Sequence, residues 1–241
     1  FLNTYFKIII IIMEDYLLSI VLTTVVFIVV YIILKYFSYS SLSGGGSNLV
    51  SSIQDGKTES TYSGNIQVSR NQKKGLVFSY TTWILIDDFN YKYGEPKIIF
   101  TKGTPDLKIS CPALVIDPNT NSLLIYIDTY GTKEIIPISN IPAKKWLHVG
   151  IVVDQYSTNI YINGTLHTHH TLNQLPKQNS ANVLITPKGG FNGKVGSIDY
   201  YPTLLDQNDI YNLSLNTPKL DRSSIGIVPP YFAQTWWLQK S

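Results

Sequence analysis

The segment Lys144 to Leu166, KKWLHVGIVVDQYSTNIYINGTL, constrains the fold of this chain more than any other. From Trp146 to Asp154 it alternates as a strand does. Leu147, Val149, Ile151 and Val153 fall on one face, and Trp146, His148, Gly150 and Val152 on the other. Asp154 to Ser157 interrupts with turn formers, and a second strand follows over Asn159 to Ile162. Asn163-Gly164 is the dipeptide best suited to the positive φ angles of a two-residue type I′ hairpin, and a third strand leaves at Thr165. The segment therefore reads as a meander with apolar side chains on both faces.

Similar short apolar runs recur at 76–86, 97–101, 107–116, 122–127, 134–138, 146–153, 159–162, 165–169, 182–186 and 194–201. Turn clusters such as Asp117-Pro-Asn-Thr-Asn and Pro187-Lys-Gly-Gly separate them. Regular spacing without a long 3.6-residue pattern predicts an all-β sandwich of two antiparallel sheets. Residues 48–74 are polar and are expected to hold the first strand and its approach, with a short helix over Leu205 to Leu213. The chain has 241 residues, a length that all-β sandwiches use as one domain.

These segments also carry a family resemblance. Trp146-x-His-Val, an apolar run, a polar loop and then Ile160-Tyr-Ile-Asn-Gly164 resemble the central signature of laminin-G-like, concanavalin A-like jelly rolls. Upstream, Phe78-Ser-Tyr-Thr-Thr-Trp83-Ile-Leu-Ile followed by Ile98-Ile-Phe-Thr-Lys-Gly103 matches the family's order. So, downstream, does Phe191-Asn-Gly193-Lys-Val-Gly-Ser-Ile-Asp-Tyr-Tyr with Leu204 to Ile210. The resemblance implies structural roles for Trp83, Trp146, His148, Asn163, Gly164 and Gly193.

Relatives of this kind include glycosidases, which need paired carboxylates on alternate strand residues, about 5–5.5 Å apart. The four glutamates, Glu14, Glu59, Glu95 and Glu134, form no such pattern. Asp87 and Asp88 are adjacent and on a strand face opposite ways. No catalytic residue is assigned, and a degenerate glycosidase ranks last among the readings. Many relatives bind calcium through loop carboxylates. Asp87, Asp88, Asp128 and Asp154 are donors of that type, but no dense acidic loop groups them, so no cofactor or metal site is assigned. His167 and His169 are expected to share a strand face, without a third ligand to complete a zinc set. A net charge of +3 with no basic stripe argues against nucleic acid. Cys111 is the only cysteine, so no intrachain disulfide forms. A buried structural role and a reducing compartment are expected for it.

Tyr16 to Leu34, YLLSIVLTTVVFIVVYIIL, carries no charge and as a helix is long enough to cross a hydrocarbon core of about 30 Å. Lys35, Tyr36 and Phe37 follow as an interfacial belt, so the bilayer is the expected partner of residues 16–37. A cleaved signal peptide has a shorter apolar region after a basic start; here Glu14-Asp15 precedes a longer one, which favours a retained single-pass anchor. Met13 is the only methionine, and its position is consistent with initiation there, residues 1–12 being upstream reading; processing is the alternative. With Met13 first, the charge bias puts the large domain on the cytosolic side. Residues 38–47, SYSSLSGGGS, read as a flexible linker to a sandwich over 48–217.

Residues 218–241 form a distinct arm in which Pro229-Pro230 precedes Tyr231, Phe232, Trp236 and Trp237. These aromatics either pack back on the sandwich, dock on a partner or rest at a membrane interface. The leading expectation is a non-enzymatic membrane-anchored structural or interaction module. Membrane-anchored proteins resembling this one suit virions of large DNA viruses with an internal membrane, as minor capsid or membrane-to-capsid proteins. The alternative is a carbohydrate-binding surface module, with Tyr91, Tyr93 and Tyr130 as its platform.

Overall fold

The computed structural model describes residues 16–35, 46–64, 66, 69 and 76–218. They fall into an N-terminal helix and a β-sandwich. The helix α1 (Tyr16–Lys35) has a mean hydropathy of 3.0 and buries none of that apolar surface, so by length and composition it can cross a membrane. Its two threonine hydroxyls are satisfied within the helix. Thr23 Oγ1 donates to the carbonyls of Ser19 and Ile20 at 2.9 Å, and Thr24 Oγ1 to that of Ile20. An apolar surrounding demands such internal pairing.

Two antiparallel sheets form the sandwich, their strands numbered in chain order. One has the spatial order β1 (Ser47–Val50), β13 (Asn192–Tyr201), β4 (Val77–Asp88), β9 (Trp146–Asp154), β10 (Ser157–Ile162), β11 (Thr165–Thr171), with β2 (Gln54–Asp55) also pairing β13. The second has the order β3 (Ser60–Tyr62), β12 (Val183–Ile185), β5 (Lys97–Gly103), β6 (Ser110–Ile116), β7 (Leu123–Ile127), β8 (Glu134–Ile138). Each of the ten apolar runs contains a strand. Residues 48–74 supply three short strands, and β1 begins already at Ser47, inside the Gly/Ser stretch.

The inner faces interlock around Phe78, Ile84, Ile86, Leu147, Val149, Ile151 and Val153 from the first sheet. Phe100, Leu114, Ile116, Leu123, Ile125 and Ile138 meet them from the second. Cys111 is buried in this core, and burial pushes its thiol up to about 12. The outer side of β9 is covered too, as its sequence requires. Val152 packs with Tyr161, Leu205 and Ile210 of the segment that ends in α2 (Gln207–Ser214). That helix has a reciprocal capping box, with the Asp206 side chain accepting from the Asp209 N–H at 2.8 Å and Asp209 from the Asp206 N–H at 3.1 Å.

Candidate functional site

The residues of the tryptophan-histidine signature meet at one place on the outer face of the first sheet. His148 lies opposite Trp83 across the β4–β9 ladder, and their rings are 5.0 Å apart. Asn163, opposite His148 beyond the last β9–β10 pair, accepts the His148 N–H through Oδ1 at 3.0 Å and donates its own N–H to the His148 carbonyl at 2.9 Å. Asn163 and Gly164 have φ of 50° and 81°, as a type I′ turn requires. The turn also seats α2, because Gln207 Nε2 donates to the Gly164 carbonyl at 2.6 Å. Gly150 leaves room for Ile210, whose Cδ1 would lie 3.1 Å from an added Cβ. Gly193 lets β13 pass β4, since a Cβ there would sit 2.0 Å from the Leu85 carbonyl oxygen. These residues build the fold and the seat of a helix.

Trp83 is 6% exposed, whereas Trp146 is only half-buried. Trp146 stands at the start of β9, where the strand's burial is not complete. His148 is 1% exposed and its Nδ1 has no hydrogen-bond partner among the described residues. Burial lowers its pKa to about 4, so the ring is neutral at pH 7.

The three candidate tyrosines do not come together. Tyr91 and Tyr93 lie on the β4–β5 loop, tied by the Gly94 N–H to the Pro118 carbonyl between β6 and β7. Tyr130 lies on the β7–β8 loop, at the opposite end of β7, where its N–H donates to the Leu175 carbonyl at 3.0 Å. Tyr91 is also engaged. Its hydroxyl donates to the Gly189 carbonyl at 3.1 Å, and Lys57 and Lys92 place Nζ 4.9 and 5.7 Å from its ring centroid. Lys92 Nζ further donates to the Lys188 carbonyl. The loop is thus clamped, and it carries Tyr93 at 67% exposure. Tyr130 is 72% exposed. Tyr231, Phe232, Trp236 and Trp237 lie outside the described residues, as do residues 1–15 and 36–45.

The histidines are separated by a β-bulge. Thr168 pairs with Ile160 and Leu166 with Tyr161, which leaves His167 as the extra residue and breaks the face it was expected to share with His169. His169 Nδ1 meets Asn159 Oδ1 at 2.6 Å. His170 instead reaches across the sandwich: its Nε2 lies 2.7 Å from Glu134 Oε2, and Glu134 Oε1 accepts the Asn173 N–H at 2.7 Å. This clasp joins the edge strands β11 and β8 of the two sheets. Thirty-six residues separate its ends and no local pattern links them, so the sequence reading missed it.

Among the described residues no group of three or more His, Cys, Asp or Glu side chains is placed to hold a metal. The four aspartates considered for calcium do not gather into one set, and two have committed oxygens. Asp88 caps the Asn90 N–H at 2.8 Å, while Asp128 accepts the Ser110 N–H at 2.7 Å and pairs with Lys133 at 3.2 Å. The donor set does not fit a calcium ion.

A family model described as the concanavalin A-like lectin/glucanases superfamily matches residues 59–220. Over 126 residues the chain is 28% identical to the SH2 domain-containing protein A of Arabidopsis thaliana, covering 46% of this chain and 19% of that protein. In structure it is similar to the receptor binding domain of botulinum neurotoxin D, with a TM-score of 0.56 and 13% identity over 72% of this chain and 48% of that one. It is also similar to the binding domain of botulinum neurotoxin DC, solved in complex with rat synaptotagmin II, with a TM-score of 0.52 and 19% identity. That match covers 72% of this chain and 47% of the other. The chain spans about half the length of these structures and about a fifth of the plant protein. At such identities the likeness to the solved structures is one of fold.

Proposed function

The chain belongs to the concanavalin A-like lectin/glucanase superfamily, and we propose that it is a non-catalytic binding module, tethered to a membrane by α1 and directed at a protein partner. The observation that carries this reading is the clamped loop presenting Tyr93. An exposed aromatic on a pre-ordered loop loses little entropy on association and is a frequent anchor of protein interfaces. The same geometry weighs against the saccharide platform. Tyr91 is pinned through its hydroxyl with two lysines at its ring, and Tyr130 is at the other end of the sandwich. A flat three-tyrosine surface is not assembled. In the membrane-to-shell form of the proposal, α1 lies in an internal virion membrane and the sandwich meets a protein shell, with the terminal aromatic arm adding contacts. The partnerless Cys111, suited to a reducing compartment, supports that form.

The test is site-specific photocrosslinking of the full chain in its membrane, with the crosslinker replacing Tyr93 or, as a control on another surface, Tyr211. The proposal expects a discrete protein adduct from position 93 and none from position 211. Adducts with glycan alone, or equal protein adducts from both positions, would overturn it.

A further inference from the structure

We infer that the interior of the sandwich holds a second, small-molecule site, which takes an amphipathic monoanion with an apolar body and a carboxylate-like head. The site is a cavity of about 540 Å³. It opens at the end of the sandwich where β5 finishes and β6 begins. Its volume lies within the range of about 300–1,000 Å³ that small-ligand pockets occupy. The floor belongs to the main core: Phe78, Tyr80, Cys111 and Tyr200 line it, with Ile66 beside them. The rim is polar, with Ser63, Gln178, Asn182 and Lys102.

Two features select the ligand. Among the described residues that line the cavity, Lys102 alone carries a formal charge, and none is a carboxylate. Its Nζ donates to the Ala181 carbonyl, and Asn179 Nδ2 donates to the Lys102 carbonyl at 2.8 Å, which holds the ammonium at the rim. An ammonium has three donors, so donors remain for an incoming anion. Burial lowers the Lys102 pKa, as for a cation with no counter-charge, and a bound carboxylate would relieve that cost. Deeper in, Tyr80 is 2% exposed. Burial raises its pKa well above the ordinary tyrosine value, so it stays a neutral donor. Its ring stacks on Phe100 at 5.6 Å and tilts against Tyr200 at 4.9 Å, which fixes the hydroxyl in place. Among the described lining residues a single ammonium stands at the rim, which suits one negative charge better than a phosphate dianion. The aromatic floor suits a hydrocarbon body.

The site is tested with the full chain in lipid nanodiscs, using octanoate and octanol as probes and the unfolding midpoint of the sandwich as readout. Octanoate is expected to raise the midpoint in a saturable way, as a ligand of the native state does. Lys102→Gln should need about tenfold more octanoate for the same rise, as loss of a charge-assisted hydrogen bond implies. The response to octanol should be the same in Lys102→Gln as in the wild type. Lys102→Met, which keeps the length of the side chain without its charge, should weaken octanoate to the same extent and serves if Lys102→Gln does not fold. No rise with octanoate, or a rise unchanged in the folded variants, would overturn the inference.

Discussion

The imidazole of His148 sits directly across the β4–β9 ladder from the indole of Trp83, with ring centroids 5.0 Å apart and planes inclined at 55°. Through its backbone His148 also holds Asn163, and through that turn it supports α2. One residue thus ties the sheet, a hairpin and the covering helix together.

The histidine makes the sandwich sensitive to acid. Its folded pKa of about 4 lies below the ordinary value, so protons bind the unfolded chain preferentially. Its contribution is complete above about pH 6.5 and is lost as pH falls towards about 4, amounting to about 3 kcal/mol. Denaturant unfolding at steps between pH 7 and pH 4 should show this slope in the wild type. The slope should be flattened in His148→Phe.

The two tryptophans should respond unequally. Trp83→Ala removes an indole that is 6% exposed and should cost about 3–5 kcal/mol. Trp146→Ala acts on a half-buried ring and should cost about 1–2 kcal/mol. Chemical denaturation midpoints check the order, and equal losses would contradict the different environments of the two rings.

Gly164→Ala should be more damaging than its size implies. The residue has φ of 81°, and an added Cβ would lie 2.4 Å from Ser214 Oγ and 3.1 Å from Tyr211 Cα. Strain and the displaced helix together should cost about 2 kcal/mol or more. Hydrogen exchange should show faster exchange across 207–214 than in the wild type.

Glu134 is the critical half of the clasp between the sheet edges. Its side chain is 8% exposed and serves two donors, whereas that of His170 is 34% exposed. Glu134→Ala strands the Asn173 N–H and should cost about 1.5–3 kcal/mol; His170→Ala should cost less than about 1 kcal/mol. Thermal unfolding of the two variants checks the asymmetry.

The fold was legible where local periodicity and turn chemistry act together. The alternation of 146–153 and the Asn163-Gly164 dipeptide correctly located a strand and a hairpin, and the aliphatic residues on both faces of that strand are buried. The apolar run Tyr16 to Leu34 was legible in the same way. Sequence reading did not find what depends on distant approach. The Glu134–His170 clasp joins two edges, the β-bulge at His167 arises in register with β10, and the Lys57–Tyr91–Lys92 cluster joins two loops. The tyrosines at 91, 93 and 130 looked equivalent as loop aromatics. Only the strand order puts Tyr130 at the other end of the sheet from the first two.

The measurement that tests the central claim most directly is binding by the full chain in nanodiscs, on a glycan array and in protein capture. Wild type, Tyr93→Ser and Tyr130→Ser are compared. A protein-directed module leaves the array blank and captures a protein as wild type and as Tyr130→Ser, a capture that is lost with Tyr93→Ser. Specific glycan binding, or protein capture indifferent to Tyr93→Ser, would contradict it.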